Sequence, residues 1–174
     1  MNASPAFYAA GGRAYALCRM TTRSMEPVIA EGELVLVEKL GGRPPAPGDL
    51  LLMPPLPETG LSFVHRLVAA VEDGGRRLLV TKGDGRAYLD PPELWAPEPA
   101  VLGRVVMVRR RGVWLSVEGL PARLAARAAA ALFAALHPRG AGERLPRLNA
   151  AVGRLLAATL AARPFAWPAG LEAP

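Results

Sequence analysis

Short apolar runs separated by turn residues occupy the first two thirds of the chain. Runs of this kind are typical of β-strands. We predict strands at residues 13–20, 33–38, 50–53, 61–71, 77–81, 101–109 and 112–118. Tight hairpins are predicted at Asp73-Gly74-Gly75 and at Arg110-Arg111-Gly112. The pattern therefore indicates a mainly β body with coiled, Gly- and Pro-rich connections.

The period of the pattern becomes helical after residue 120. The first helical stripe consists of Leu124, Ala128, Leu132 and Leu136. The second consists of Leu148, Val152, Leu155 and Leu156. Residues 138–140, which contain a Pro and a Gly, separate them. We predict a helical hairpin in residues 121–174, after a body in residues 1–120, and expect these stripes to pack against that body or another copy.

The composition fits a domain with its own core. The chain has 174 residues, of which 51% are apolar, and this argues against disorder along its whole length. Cys18 is its one cysteine, so neither an intramolecular disulfide nor a cysteine metal cluster is expected. We expect no metal and no organic cofactor.

Positive charge is concentrated in the predicted hairpin. Residues 1–120 hold 14 Lys and Arg against 13 Asp and Glu, whereas residues 121–174 hold seven Arg against two Glu. The hairpin could dock on an acidic partner or an anionic membrane surface. No nucleic-acid motif accompanies the charge, so no nucleic-acid partner is expected. The sequence shows no secretory signal and no transmembrane run, and we expect a cytoplasmic protein, with peripheral membrane contact as one role of the arginines.

Few residues of this chain could act as a general base. It has two histidines, His65 and His137, and two lysines, Lys39 and Lys82. A serine hydroxyl needs such a neighbour to become nucleophilic. His137 is predicted to cap a helix C-terminus beside Pro138. His65 lies in the middle of a predicted strand.

Five segments follow one another in an order that resembles a known superfamily. They are Ser24-Met25-Glu26-Pro27 with the strand after it, Pro47-Gly48-Asp49-Leu50, Val64-His65-Arg66-Leu67-Val68, Thr81-Lys82-Gly83-Asp84 and Leu102-Gly103-Arg104-Val105. The set spans about residues 13–115 and resembles the signal peptidase I and LexA-like serine peptidases. The base position carries histidine, as in the archaeal and endoplasmic-reticulum branch. The resemblance implies a coiled all-β, signal-peptidase-like catalytic domain.

The resemblance also implies roles for individual residues. Ser24 matches the nucleophile and His65 the general base. Asp90 matches the acid that orients the imidazole, with Asp84 as the alternative acid. The Thr22 hydroxyl and the Ser24 backbone N–H match the oxyanion donors. The implied reaction is hydrolysis of a peptide bond in an extended precursor or leader peptide.

The sequence departs from the family pattern at three places, one of which is Leu89, before Asp90, where the histidine branch often has a second acid. Arg23 replaces the glycine usual before the nucleophile, which predicts a crowded cleft or altered substrate preference. The membrane anchor of true signal peptidases is absent. Two other functions remain open. One is LexA-like self-cleavage of the Ala10-Gly11 bond, although only 13 residues separate that bond from Ser24. The other is a peptide-binding module that keeps the fold without turnover.

Neither lysine is expected to serve as the base. A lysine base needs a buried ammonium whose pKa lies several units below about 10.4. Lys39 lies at a strand end before two glycines, where water should reach it. Lys82 adjoins Asp84, whose charge should keep the ammonium protonated. A histidine needs no such shift, because its ordinary pKa of about 6.5 lies near neutral pH.

Overall fold

The computed structural model describes residues 5–41, 43–136 and 145–160. The strands in these residues are β1 (Tyr8–Ala10), β2 (Arg13–Arg19), β3 (Leu34–Lys39), β4 (Leu50–Leu52), β5 (Val64–Asp73), β6 (Arg76–Lys82), β7 (Ala96–Pro97), β8 (Gly103–Arg110) and β9 (Val113–Ser116). The helices are α1 (Leu120–Leu136) and α2 (Leu145–Leu160), with single 3-10 turns at Pro92–Leu94 and Glu98–Ala100. His137, predicted as a helix cap, lies outside the described residues.

The nine described strands form one antiparallel sheet, so the prediction of a mainly β protein is confirmed. Their order is β1-β2-β3-β8-β4-β5-β6-β7, and β9 also pairs with β8. β8 has β3 along one edge, while its other edge pairs with β4 at its start and β9 at its end. β5 and β6 pair over most of their length, and this pair carries the candidate site.

The predicted strands correspond to β2–β6, β8 and β9. The β5–β6 hairpin turns at Gly74 and Gly75, with φ of 55° and 75°. Positive φ at both central residues matches the right-handed twist of the paired strands, and glycine adopts it without steric cost. The prediction did not include β1 or β7, which have three and two residues. Strands this short carry too few residues for a recognisable alternation.

The helices share one hydrophobic cluster with the sheet, so the predicted packing against the β body is observed. The apolar stripe predicted on α1 does not pack against the β body. Leu124 is 56% exposed and Leu132 36% exposed. The buried residues are Ala122, Ala126, Ala129, Ala130 and Phe133.

Close backbone approach explains this choice of face. A Cβ at Gly48 would lie 2.9 Å from the backbone of Ala126, so α1 lies directly on the loop before β4. Alanine allows a separation this small, and leucine at the same face would overpack it. The larger leucines are therefore directed outward.

The prediction for α2 is correct in part. Leu156 is buried, and Val152 packs against the shared cluster. Leu155, predicted on the same face, is 61% exposed. None of the helices in the described residues is long and apolar enough to span a membrane.

The adjacent leucines of α2 allow a direct test of this packing. Leu156→Ala should lower the free energy of unfolding by about 2–5 kcal/mol, because it removes buried methyl groups and leaves a cavity. Leu155→Ala should change it by less than about 0.5 kcal/mol. Urea unfolding of both variants measures the difference. Equal losses would contradict the observed face of α2.

Candidate active site

Ser24 lies in the loop between β2 and β3, in a segment held by buried apolar side chains. Residues 22–29 are called here the Ser24 segment. Met25, Val28 and Ile29 are at most 1% exposed, and the backbone N–H groups of Val28 and Ile29 donate to the Met25 carbonyl. Thr22 is exposed and Ser24 is half-buried. The Ser24 hydroxyl is therefore accessible on a fixed backbone, 3.3 Å from the Thr22 hydroxyl oxygen.

His65 is buried on β5 and paired with Asp90. Its Nδ1–H donates to Asp90 Oδ2 over 2.5 Å. A carboxylate accepts here, so the contact fixes the tautomer with the proton on Nδ1 and leaves Nε2 as an acceptor. The edge of the Phe63 ring packs against the imidazole, with the ring centroids 4.9 Å apart. This arrangement is the one that a general base requires.

Asp90 is held from two further directions. Its Oδ2 accepts from the Thr81 hydroxyl at 2.7 Å, and its backbone N–H donates to the Thr81 carbonyl. The Trp95 indole N–H donates to the Asp90 carbonyl at 2.8 Å. Burial by itself would raise the pKa of Asp90, but the hydrogen bond and charge of His65 and the Thr81 hydroxyl outweigh it. The pKa of Asp90 thus lies below its ordinary value, and the carboxylate is charged at neutral pH.

A turn with glycine at two of its four positions brings His65 close to the Ser24 segment. Residues 82–85 are called here the glycine turn. A Cβ at Gly83 would lie 2.6 Å from the Ser24 carbonyl oxygen and 3.1 Å from His65 Nε2. The Gly85 N–H donates to the same carbonyl at 2.8 Å. The acceptor nitrogen of His65 and the backbone carbonyl of Ser24 therefore both lie beside Gly83.

The Ser24 hydroxyl contacts Thr22 and, among the described residues, makes no hydrogen bond to His65. Transfer of its proton to Nε2 thus requires the hydroxyl and the imidazole to come closer together. Hydrogen bonds of this type often tighten only when substrate is bound. The structure brings Thr22, Ser24, His65 and Asp90 together, and their catalytic roles stay predictions.

Asp84, the alternative acid, is engaged elsewhere. Its two carboxylate oxygens accept from Arg66 Nε at 2.8 Å and Nη2 at 2.6 Å, and both side chains are buried. Arg66 also donates to the Gly48 carbonyl. Because successive residues of a strand point to opposite faces, Arg66 is directed away from the face that carries His65. This geometry places Asp90, and not Asp84, against the imidazole.

The two lysines lie in different surroundings. Lys39 is exposed, as predicted. Burial lowers the pKa of Lys82 to about 8, and the charge of Asp84 raises it as predicted but offsets the effect of burial only in part. Its ammonium donates to the Gly83 carbonyl and to Asn149 Oδ1, and lies 4.1 Å from the centre of the Phe133 ring. Lys82 therefore faces the helices.

The structure also describes Arg23, which replaces the usual glycine before the nucleophile, and the Ala10-Gly11 dipeptide. The Arg23 side chain is 78% exposed and extends to Glu31 at 3.3 Å. Ala10 ends β1, and Gly11 follows in the turn to β2 with φ of 57°. The Ala10-Gly11 bond thus lies in a hairpin turn.

Four side chains at the site had no role in the sequence prediction: Phe63, Thr81, Trp95 and Asn149. A strand threonine and a loop tryptophan give no local signal of a partner. Asn149 gives one, since it is a polar residue in a helix face that continues with Gly153, Leu156 and Leu160. In the described part of the chain, no group of three or more His, Cys, Asp or Glu side chains is placed to hold a metal ion.

Comparison of the chain with protein-family models and with curated proteins finds no match. The resemblance to the signal peptidase I and LexA-like serine peptidases therefore stays a prediction.

Proposed function

We propose that this protein is a serine endopeptidase of the signal-peptidase type. The observation that carries the proposal is the buried His65, whose Nδ1 pairs with Asp90 while its Nε2 faces the Ser24 segment. A charged carboxylate behind an imidazole stabilises the imidazolium that forms when the serine loses its proton. Ser24 is half-buried and Thr22 beside it is exposed, so a substrate can approach from this side.

The reaction begins when His65 removes the proton from the Ser24 hydroxyl. The oxygen attacks the carbonyl of the scissile bond, and His65 then protonates the leaving amine. A water molecule, activated by the same imidazole, hydrolyses the acyl-enzyme. The Ser24 backbone N–H and the Thr22 hydroxyl are the proposed donors to the oxyanion.

The resemblance favours substrates with small residues before the scissile bond. A leader peptide or a precursor tail fits this description. The Arg23 side chain extends towards Glu31, and its effect on the cleft and on substrate preference stays a prediction.

The first prediction concerns the nucleophile. Ser24→Ala should abolish both labelling by a fluorophosphonate and hydrolysis of peptides, because the attacking oxygen is lost. The unfolding temperature should hardly change, since the substitution is small. Ser62→Ala is the matched control, as Ser62 is also half-buried, and it should label like the wild type.

Full labelling of Ser24→Ala would overturn the mechanism. An unlabelled wild type would instead favour the peptide-binding module. Intact mass after storage tests self-cleavage at Ala10-Gly11, and loss of the first ten residues would favour the LexA-like function.

The second prediction separates the two candidate acids. Asp90→Asn should lower the labelling rate by a factor on the order of 10⁴, because the amide no longer holds the productive tautomer. Asp84→Asn should mainly lower stability, by about 3–5 kcal/mol, because Arg66 stays buried without its counter-charge. Labelling rates per folded molecule and urea unfolding measure both effects. A larger rate loss in folded Asp84→Asn than in Asp90→Asn would give the acid role to Asp84.

The third prediction concerns pH. An imidazole accepts a proton only when neutral, so labelling should be slow in acid and rise through one step as the pH increases. A lysine base would give a step near 8, where the pKa of Lys82 lies. The measurement is the labelling rate between pH 5 and pH 10, with Lys39→Ala as the control. A single step near 8 that persists in His65→Ala would contradict the assignment.

A further inference from the structure

One face of α2 contacts both segments that meet at the proposed site. Asn149 and Gly153 lie four residues apart on this face, and both are buried. Asn149 contacts the glycine turn. At Gly153, a Cβ would lie 2.7 Å from Pro27 Cδ in the Ser24 segment. The helix is thus in direct contact with both sides of the junction between Ser24 and His65.

The Asn149 amide is satisfied at both ends by the glycine turn. Its Oδ1 accepts from Lys82 Nζ at 2.5 Å, and its Nδ2 donates to the Asp84 carbonyl at 2.7 Å. The ammonium can only donate and the carbonyl can only accept, so the two bonds fix the orientation of the amide. The Asn149 side chain therefore bridges Lys82 and Asp84, the two residues that flank Gly83.

The opposite side of the same turn faces the Ser24 segment. The Gly85 N–H donates to the Ser24 carbonyl, and the Asp84 N–H lies 3.5 Å from Met25 Sδ. Gly83 separates the Ser24 carbonyl from His65 Nε2. The turn is thus enclosed between Asn149 on one side and the Ser24 segment on the other. A displacement of the turn would change the distance between the hydroxyl and its base.

Helix formation does not explain an asparagine at this position. Asparagine is less favourable than alanine inside a helix, and a buried amide is costly unless it is hydrogen-bonded. Alanine occurs at several other positions of α2, and an alanine at position 149 would be more favourable for the helix. The two bonds to the glycine turn explain the residue.

We propose, on the basis of the peptidase function, that Asn149 is a positioning residue and that α2 is part of the catalytic unit. Asn149 and Lys82 hold the glycine turn against the Ser24 segment and so set the approach of Ser24 to His65. The C-terminal helices therefore control turnover, in addition to covering the core.

The test compares Asn149→Ala with Leu156→Ala, which replaces a buried residue of the same helix whose side chain makes no hydrogen bond to the turn. Asn149→Ala should label about 100-fold more slowly per folded molecule, since a displacement near 1 Å has this effect on a reaction. Leu156→Ala should be less stable but label at the wild-type rate. Asn149→Asp, which keeps an acceptor for Lys82 and loses the donor to Asp84, serves as a second variant.

A second measurement does not depend on catalysis. Amide hydrogen exchange at Gly85, whose N–H is bonded to Ser24, should be several-fold faster in Asn149→Ala and unchanged in Leu156→Ala. Unchanged labelling and exchange in folded Asn149→Ala would overturn the proposal, as would equal rate losses in both variants. If the wild type takes no label, the peptidase function fails, and exchange at Gly85 alone decides whether Asn149 holds the turn.

Discussion

The contact between the glycine turn and the backbone of Ser24 is the constraint on which the candidate site depends. A side chain at Gly83 would collide with the Ser24 carbonyl and with His65 Nε2. The buried ion pair between Arg66 and Asp84 fixes the turn to β5. Removal of one member of such a pair is strongly destabilising, because the other charge stays buried. The turn is therefore held rigidly at the point where two distant parts of the chain meet.

Strand alternation separates two polar networks that neighbour each other in sequence. His65 and Thr81 point to one face of the β5–β6 pair and meet Asp90 there. Arg66 and Lys82, the next residue in each strand, point to the other face. One network contains the chemistry of the proposed reaction. The other holds the backbone that presents it, and it extends to the helices through Asn149.

Burial and hydrogen bonding together decide the protonation state of the titratable groups in both networks. Asp90 is buried, yet two donors keep it ionised, which suits a group that must stabilise a positive imidazolium. Lys82 is buried against α1 and α2, and its pKa falls to about 8 although Asp84 lies nearby. Its lowered pKa alone would make Lys82 a candidate base. Its ammonium, however, donates to the Gly83 carbonyl and to Asn149 on the side of the helices. Geometry therefore takes precedence over pKa in assigning the base.

The sequence by itself determined the mainly β body, two helices, two hairpins and the choice of Ser24, His65 and Asp90 as candidates. Periodicity and turn residues are local signals, and the motifs lie within short segments. The tertiary structure decided which acid faces the imidazole, which face of α1 is buried, and that Lys82 and Asn149 meet. Asn149 is 67 residues from Lys82 along the chain. Contacts between segments this far apart depend on how closely backbones approach, and no local pattern encodes that distance.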